Sequence, residues 1–255
     1  MMLALTKKVA RSFYLSIHLL PSNLREPVAL AYLLARASDT IADEEENSMT
    51  ASERELVGLL PTLIEALNDP QRNRFDADAI NVVWQTILEW QAFDLEKFSP
   101  QNEAAALTPD ELDRYLYLVA GCVGEFWTKL AGHHLPNFSK ESFEKMMAWG
   151  VDYGKGLQLV NILRDRQGDA RCGRRYCKED QVPQLHVQVL SYLQQGEAYV
   201  KALRPGRFKV ATALPLLLGK RTLALIKKNS NAEKVKISHR EVYLTLLRAL
   251  LFLFC

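Results

Sequence analysis

Thirteen consecutive residues, Tyr32-Leu-Leu-Ala-Arg36-Ala-Ser-Asp39-Thr-Ile-Ala-Asp43-Glu44, constrain the chain more than any other stretch. They contain no proline or glycine and are rich in leucine and alanine, so the stretch reads as a helix. At ~100° per residue, Tyr32, Arg36, Asp39 and Asp43 fall within one narrow stripe of that helix. The rest of its surface is mostly apolar and calls for enclosure by other elements. Two carboxylates on one line of a largely buried helix need a partner, and the natural partner is a cation.

A single Asp-x-x-x-Asp pair arises by chance on many solvated helices. A second one changes its weight. In Gln158-Leu-Val-Asn161-Ile-Leu-Arg164-Asp165-Arg-Gln-Gly-Asp169, the residues Gln158, Asn161, Asp165 and Asp169 again share one face. Their spacing closely repeats that of Tyr32, Arg36, Asp39 and Asp43. Two such stripes facing one another across a cavity would offer oxygen ligands from both sides. That donor set suits a hard cation such as Mg²⁺, which keeps several waters and bridges substrate phosphates. The alternative is two solvated acidic patches.

The 255 residues suffice for one large helical domain or two small ones. A formal net charge of +2 gives no reason to expect nucleic acid as a partner. Cys122, Cys172, Cys177 and Cys255 form no disulfide framework, which fits a reducing cytoplasm. Cys172, Cys177 and His186 have loose metal-like spacing without a fourth ligand, and read as incidental. The segment 1–10 is too short and polar for a signal peptide. Residues 242–255 are strongly apolar, but Arg248 interrupts them and they are too few to span a bilayer. Leu246, Leu247, Leu250, Leu251 and Phe254 make a stripe that either packs into the core or touches a membrane surface.

Almost every long segment reads as helix, no segment sustains strand alternation, and no linker divides the chain. The expectation is one all-α domain over 1–255. A first helix spans Leu3 to Leu20 and ends at Pro21; Pro27 suits the first turn of the second. Thr50 with Glu53, and Thr108 with Glu111, make capping boxes, and Pro61 kinks the helix that follows the first of these. Asp76 to Phe98 is helical, and Ser139 caps the helix leading to Asp165. Asp169 to Gln184, charged and holding Gly173 and Pro183, reads as a mobile loop, and Ser238 opens the last helix. Between the acidic helices, Val119, Ala120, Val123 and Gly124 form a small-residue face. Glycine inside a helix costs about 1 kcal/mol relative to alanine, so Gly121 and Gly124 mark either close helix packing or room for a ligand. Arg11, Ser12, Phe13 and Tyr14 offer a cation and aromatics, and Arg171, Arg174 and Arg175 follow the second acidic pair. Guanidinium groups beside Mg²⁺-binding carboxylates suit a diphosphate.

Taken together, Arg11-Ser-Phe13, the stretch from Tyr32 to Asp43, Tyr115-Leu-Tyr-Leu-Val-Ala-Gly-Cys-Val-Gly124 and Gln158-Leu-Val-Asn161-Ile-Leu-Arg-Asp165 resemble the squalene/phytoene synthase family of head-to-head prenyl transferases. Among these the chain looks most like the bacterial squalene synthases, and the match runs from about Lys8 to at least Tyr176. The resemblance implies an isoprenoid-synthase helical bundle around a central cavity, with Mg²⁺ and two prenyl diphosphates. It makes Asp39, Asp43, Asp165 and Asp169 metal ligands, helped by Asn161. It places Arg36, Arg11 and Tyr176 against diphosphate, and Gln158 and Phe13 on the cavity wall. It makes Tyr115 a participant in proton transfer. Ser12, Tyr32 and Val119 complete the expected substrate-binding set. Three positions depart from the family pattern: Ala10 replaces a serine, Asp165-Arg-Gln-Gly-Asp169 lacks the intervening acid, and Tyr176-Cys-Lys-Glu replaces tyrosine, an apolar residue and proline.

The activity so implied is condensation of two farnesyl diphosphates through a cyclopropyl diphosphate to squalene, with NADPH as reductant. Phe208 to Leu225 resembles the alanine-proline-rich helix of squalene synthases, and Arg207, Lys209 and the loop around residue 170 are the expected nucleotide-phosphate contacts. Phytoene or dehydrosqualene formation without reductant is the alternative. A non-catalytic assembly or lipid-binding homologue is the third reading, disfavoured by the presence of all four aspartates.

Overall fold

The computed structural model describes residues 2–10, 13–43, 49–98, 106–228 and 239–253. Among them are twelve α-helices and no strand. They are α1 (Met2–Val9), α2 (Phe13–Leu19), α3 (Ser22–Asp43), α4 (Ala51–Gly58), α5 (Leu60–Leu67), α6 (Arg74–Lys97), α7 (Pro109–Leu116), α8 (Cys122–His134), α9 (Phe143–Arg171), α10 (Val182–Ala202), α11 (Arg207–Lys228) and α12 (His239–Leu250). A π-helical turn, Tyr117–Gly121, joins α7 to α8. The architecture is the all-α bundle expected from the sequence.

Both capping boxes form, at Thr50/Glu53 and Thr108/Glu111. Other boundaries differ from the sequence reading. The first helix is two, because α1 ends at Val9, where the Ala10 amide donates to Thr6, and a new helix starts at Phe13. α3 begins at Ser22 rather than near Pro27. The Pro21 carbonyl accepts from Leu24 and Arg25 and closes the first turn early, leaving Pro27 inside the helix. Pro61 marks a break instead of a kink: α4 stops at Gly58 and α5 restarts with the proline in its first turn. Ser142, not Ser139, caps α9, accepting from the Lys145 amide at 3.3 Å; the Ser139 hydroxyl closes a turn onto the Glu141 carbonyl. The loop expected over 169–184 is narrower: α9 runs to Arg171, a short 3-10 turn spans Glu179–Gln181 and α10 starts at Val182, which leaves 172–178 as the connection. Ser238 lies outside the described residues.

α9 is the spine, packed against α7, the π turn, α8, α10 and α11. Its approach to α8 is backbone on backbone. A Cβ on Gly124 would lie 1.9 Å from the Gly150 carbonyl oxygen, and one on Gly154 would lie 2.1 Å from that of Ala120. The small-residue face therefore serves helix packing at Gly124. One apolar cluster joins α3 to α5, α6 and α8, and a second joins α7, α9, α10 and α11.

The C-terminal stripe divides. Leu246, Ala249 and Leu250 pack against Val210 and Leu214 of α11. Tyr243, Leu244, Leu247 and Leu251 stand outward, between 51% and 68% exposed. Phe254 lies outside the described residues. No helix of the described chain is long and apolar enough to cross a membrane.

Candidate active site

From Val28 to Thr40 every residue of α3 is buried except Tyr32, Ala35, Arg36 and Asp39, which are half-buried. These four share one stripe. That stripe is the half-buried face of an otherwise buried stretch of helix. The Arg36 guanidinium spans it, donating to Asp39 at 2.6 Å and to Glu53 at 2.7 Å. Burial opposes the guanidinium's charge, but Asp39 and Glu53 outweigh it and raise the Arg36 pKa above its ordinary value. The other Glu53 oxygen accepts from the amide and hydroxyl of Thr50. The α4 capping box thus fixes the Arg36 head group, a link that the sequence reading, which took Glu53 only as a cap, missed. Asp43 ends α3, but its side chain, like Arg11 and Ser12, lies outside the described residues.

α9 repeats the pattern. Leu159, Val160, Ile162 and Leu163 are buried, while Gln158, Asn161, Asp165 and Asp169 are half-buried. The Asn161 amide donates to Gln158 at 3.2 Å, and the Gln158 amide donates to the Tyr115 hydroxyl at 3.4 Å. Asp165 accepts two hydrogen bonds from the Arg164 Nε, at 3.0 and 3.1 Å. Burial, and then the charge of Asp165 one turn away, push the Asp169 carboxyl up.

Tyr115 is buried, with its ring 4.9 Å from that of Tyr176 and 6.1 Å from that of Trp90. Burial, then Tyr176, raise its pKa far above the ordinary phenol range, so the hydroxyl stays protonated. Tyr176 is pushed up to about 12, mainly by burial. Two contacts hold the Tyr176 segment inward: Arg174 pairs with the buried Asp94 at 3.1 Å, and the Arg175 carbonyl accepts from the Leu107 amide. Arg171 and Arg175 are exposed. The structure thus brings Tyr115, Gln158, Asn161 and Tyr176 together. Val119, from the π turn, packs on the same apolar cluster. Such π turns are frequent at functional sites.

An aromatic wall stands at the Tyr32 end of the α3 stripe. Phe13 packs on Tyr32 at 5.5 Å and on Trp127 at 6.5 Å, and Trp127 stacks on Phe208 at 5.6 Å. The Trp127 indole donates to the Thr212 hydroxyl at 2.9 Å. The sequence reading did not single out Trp127, which joins Phe13 to Phe208. Its one signal was the i, i+4 spacing from Val123.

The α9 carboxylates fit a hard divalent cation. They are oxygen donors one turn apart, flanked by the Asn161 amide, and their mutual repulsion at Asp169 is what a cation relieves. On α3, Asp39 is the described donor. Among the described residues no three His, Cys, Asp or Glu side chains converge on one point, and this includes the Cys172, Cys177 and His186 set. Two of the residues expected to hold a nucleotide's phosphates are engaged within the chain. The Arg207 guanidinium donates to the backbone carbonyls of His18 and Leu19, and Lys209 is buried under the Phe252 ring.

Comparisons with known proteins agree with this geometry. The fold is shared with TcSQS in a ligand complex (TM-score 0.80, 19% identity, covering 97% of this chain and 85% of that one). It is shared also with a dehydrosqualene synthase in a ligand complex (TM-score 0.69, 22% identity, 99% and 95% covered). In sequence the chain is 29% identical over 188 residues to phytoene synthase 1 of Zea mays, covering 70% of this chain and 43% of that protein. It is 26% identical over 223 residues to the bifunctional lycopene cyclase/phytoene synthase of Leptosphaeria maculans, covering 78% and 37%. The chain thus spans less than half the length of these two curated relatives. The squalene/phytoene synthase family model matches residues 6–188, a range that takes in both acidic stripes, Tyr115 and Tyr176. With that match, the chain belongs to the squalene/phytoene synthase family.

Proposed function

We propose that the protein condenses two farnesyl diphosphates head to head, through a cyclopropyl diphosphate, to a C30 hydrocarbon. The observation that carries the chain length is the aromatic wall. Tyr32 and Asp39 are seven residues apart on α3, roughly 10 Å along the axis. A prenyl chain whose diphosphate sits at the carboxylates runs down past Tyr32 and ends against Phe13 and Trp127.

Asp165, Asp169 and Asn161, with Asp39 and Asp43 from α3, would hold Mg²⁺, which neutralises charge on the diphosphate when bound. Arg36, anchored between Asp39 and Glu53, adds a fixed guanidinium beside the leaving group. The allylic C–O bond of one substrate breaks and its electron pair leaves with the diphosphate. The double bond of the second substrate attacks the cationic carbon, and proton loss closes the cyclopropane. The C–O bond of this cyclopropyl diphosphate then breaks, the second diphosphate leaves with the electron pair, and the rearranged cation ends as a hydrocarbon by losing a proton or by taking hydride from NADPH. Tyr115 is too weak an acid to start as a phenolate. It acts as a relay: its oxygen takes a proton from the substrate as its own proton moves to Tyr176. The released diphosphate is the final base. The apolar wall excludes water, which would quench each cation, and the Phe13 and Tyr32 ring faces favour positive charge.

Reductive completion to squalene with NADPH is the extended form of this reading. Phytoene formation from C20 substrates is the second reading, favoured by the sequence relatives. The discriminating experiment is Trp127→Ala assayed with farnesyl and geranylgeranyl diphosphate. The wild type should prefer the C15 substrate, and the variant should shift the kcat/KM ratio toward C20 by tenfold or more. A wild type that prefers C20, or an unchanged ratio in the variant, removes the chain-length argument.

The outward ridge of α12 supports contact with a membrane surface. Tyr243, Leu244, Leu247 and Leu251 are exposed and flanked by the exposed Arg240 and Arg248. An amphipathic helix of that composition suits an anionic lipid interface, where an amphiphilic substrate and a hydrocarbon product partition.

A further inference from the structure

On the flank of α9, away from the Asp165–Asp169 stripe, three nitrogen-bearing side chains from three helices converge. The packing register places them. Gly156 meets Tyr192 and Gly196 meets Tyr153, so α9 and α10 run antiparallel. The Tyr153 hydroxyl donates to the Thr212 carbonyl and Gly219 meets Leu157, so α9 and α11 run parallel. Two and a half turns further along α9, the same register brings Arg166 beside the first turns of α10, which carry His186, and the last turn of α11, which carries Lys227. The electrostatics of His186 agree. Its ring is held below the ordinary imidazole range by burial first, then by Lys227 and Arg166.

This cluster is under-satisfied. The Arg166 Nε and the His186 Nδ1 are both shut off from solvent and make no hydrogen bond. The carboxylate of Glu179 lies 3.4 Å from the Arg166 Nε without hydrogen-bonding geometry, and is itself 80% exposed. A buried polar atom left without a partner is unfavourable, and gathering cations adds repulsion. An oxyanion held between Arg166 and Lys227 would offset that repulsion, since its oxygens accept from guanidinium and ammonium N–H groups at once. The same arrangement argues against the metal that the Cys172, Cys177 and His186 spacing evokes, because His186 is faced by cations.

We propose that Arg166, His186 and Lys227 form a phosphate-binding subsite for the terminal phosphate of an anionic ligand. Arg166 follows Asp165 by one residue, so it points ~100° around the helix from the metal stripe. The subsite is therefore separate from the carboxylates but within reach of ligands that approach the same end of α9. Two sources carry this chemistry, a diphosphate and a phosphorylated nucleotide.

Calorimetric titration of the full chain in EDTA, with inorganic pyrophosphate and with adenosine 2′,5′-bisphosphate, tests the assignment. At least one should bind saturably. The Arg166→Gln/Lys227→Gln double variant should weaken that binding tenfold or more, while Lys220→Gln, on the same helix as Lys227 but paired with Glu197, leaves it within twofold. Saturation by pyrophosphate alone identifies a diphosphate as the ligand, and saturation by the bisphosphate alone a nucleotide. If the double variant does not fold, Lys227→Gln alone, altering an exposed side chain, should weaken binding at least threefold. The proposal is overturned if neither probe binds the metal-free protein, or if the folded variants bind as the wild type does. Because no turnover is read, the result is independent of the prenyl-transfer reading.

Discussion

Replacing Gly154 by alanine tests how the π turn is held. A Cβ at this position would lie 2.1 Å from the Ala120 carbonyl oxygen and 3.2 Å from the Gly121 Cα. Ordinary contact begins near 3.4 Å, so the α9 backbone and the turn must separate by about 1.3 Å. Both neighbours are backbone, and no flexible side chain can swing aside. Overpacking of this kind costs about 1–3 kcal/mol, against which alanine's better helix propensity returns up to about 1 kcal/mol. Gly168, also in α9, is the control, since a Cβ there meets nothing within 4 Å. Gly168→Ala should therefore stabilise by up to about 1 kcal/mol, while Gly154→Ala destabilises by roughly 1 kcal/mol net. Urea unfolding followed by circular dichroism reads both, with the midpoints moving in opposite directions at unchanged m-value. A Gly154→Ala protein at least as stable as the wild type would refute the backbone-on-backbone account of this interface.

Glu111, bonded to Lys97 and then to the Thr108 amide, has its carboxyl held down at about 2. A depressed carboxyl contributes stability above its ordinary value of 4.5 and loses it as pH falls toward 2, so acid unfolding should ease over that window. Glu111→Gln should flatten the dependence by roughly 1 kcal/mol, as expected for a partly exposed pair; an unaltered acid-unfolding profile in the variant would contradict this. Asp165→Asn should lower turnover by roughly 10²-fold or more while helicity is retained, because a lost metal ligand is commonly worth several kcal/mol. Near-normal turnover at saturating Mg²⁺ would remove Asp165 from the metal site. Leu247→Glu should abolish cosedimentation with vesicles containing anionic lipid without changing the thermal midpoint, and undiminished cosedimentation would leave the α12 ridge without that role.

The two acidic stripes were legible because helical periodicity alone aligns Tyr32, Arg36 and Asp39, and Gln158, Asn161 and Asp165. Their half-buried setting follows from the apolar residues around them. The capping boxes were equally plain, since their signal is local. What escaped depends on contacts between distant segments. Glu53 anchors Arg36 across the 44–48 segment, and Trp127 meets Phe13 and Phe208 over separations that no pattern in the chain records. The π turn carries no sequence mark, because its i→i+5 bonding is set by the packing of Gly121 and Gly124 on α9. Both Pro21 and Pro27 suit a helix start, and only the accepted bonds at the Pro21 carbonyl decide between them. The charged run from Asp169 with Gly173 and Pro183 reads as a loop, yet α9 runs on to Arg171 and ends shortly before Gly173, whose φ of 81° suits glycine.

Incubation of the purified protein with farnesyl diphosphate and Mg²⁺, with and without NADPH, followed by mass spectrometry of the extracted hydrocarbon, tests the central claim most directly. A C30 hydrocarbon is the predicted product, two hydrogens heavier when NADPH is consumed. Formation of no C30 hydrocarbon under either condition, with a C40 product appearing only from geranylgeranyl diphosphate, would contradict it.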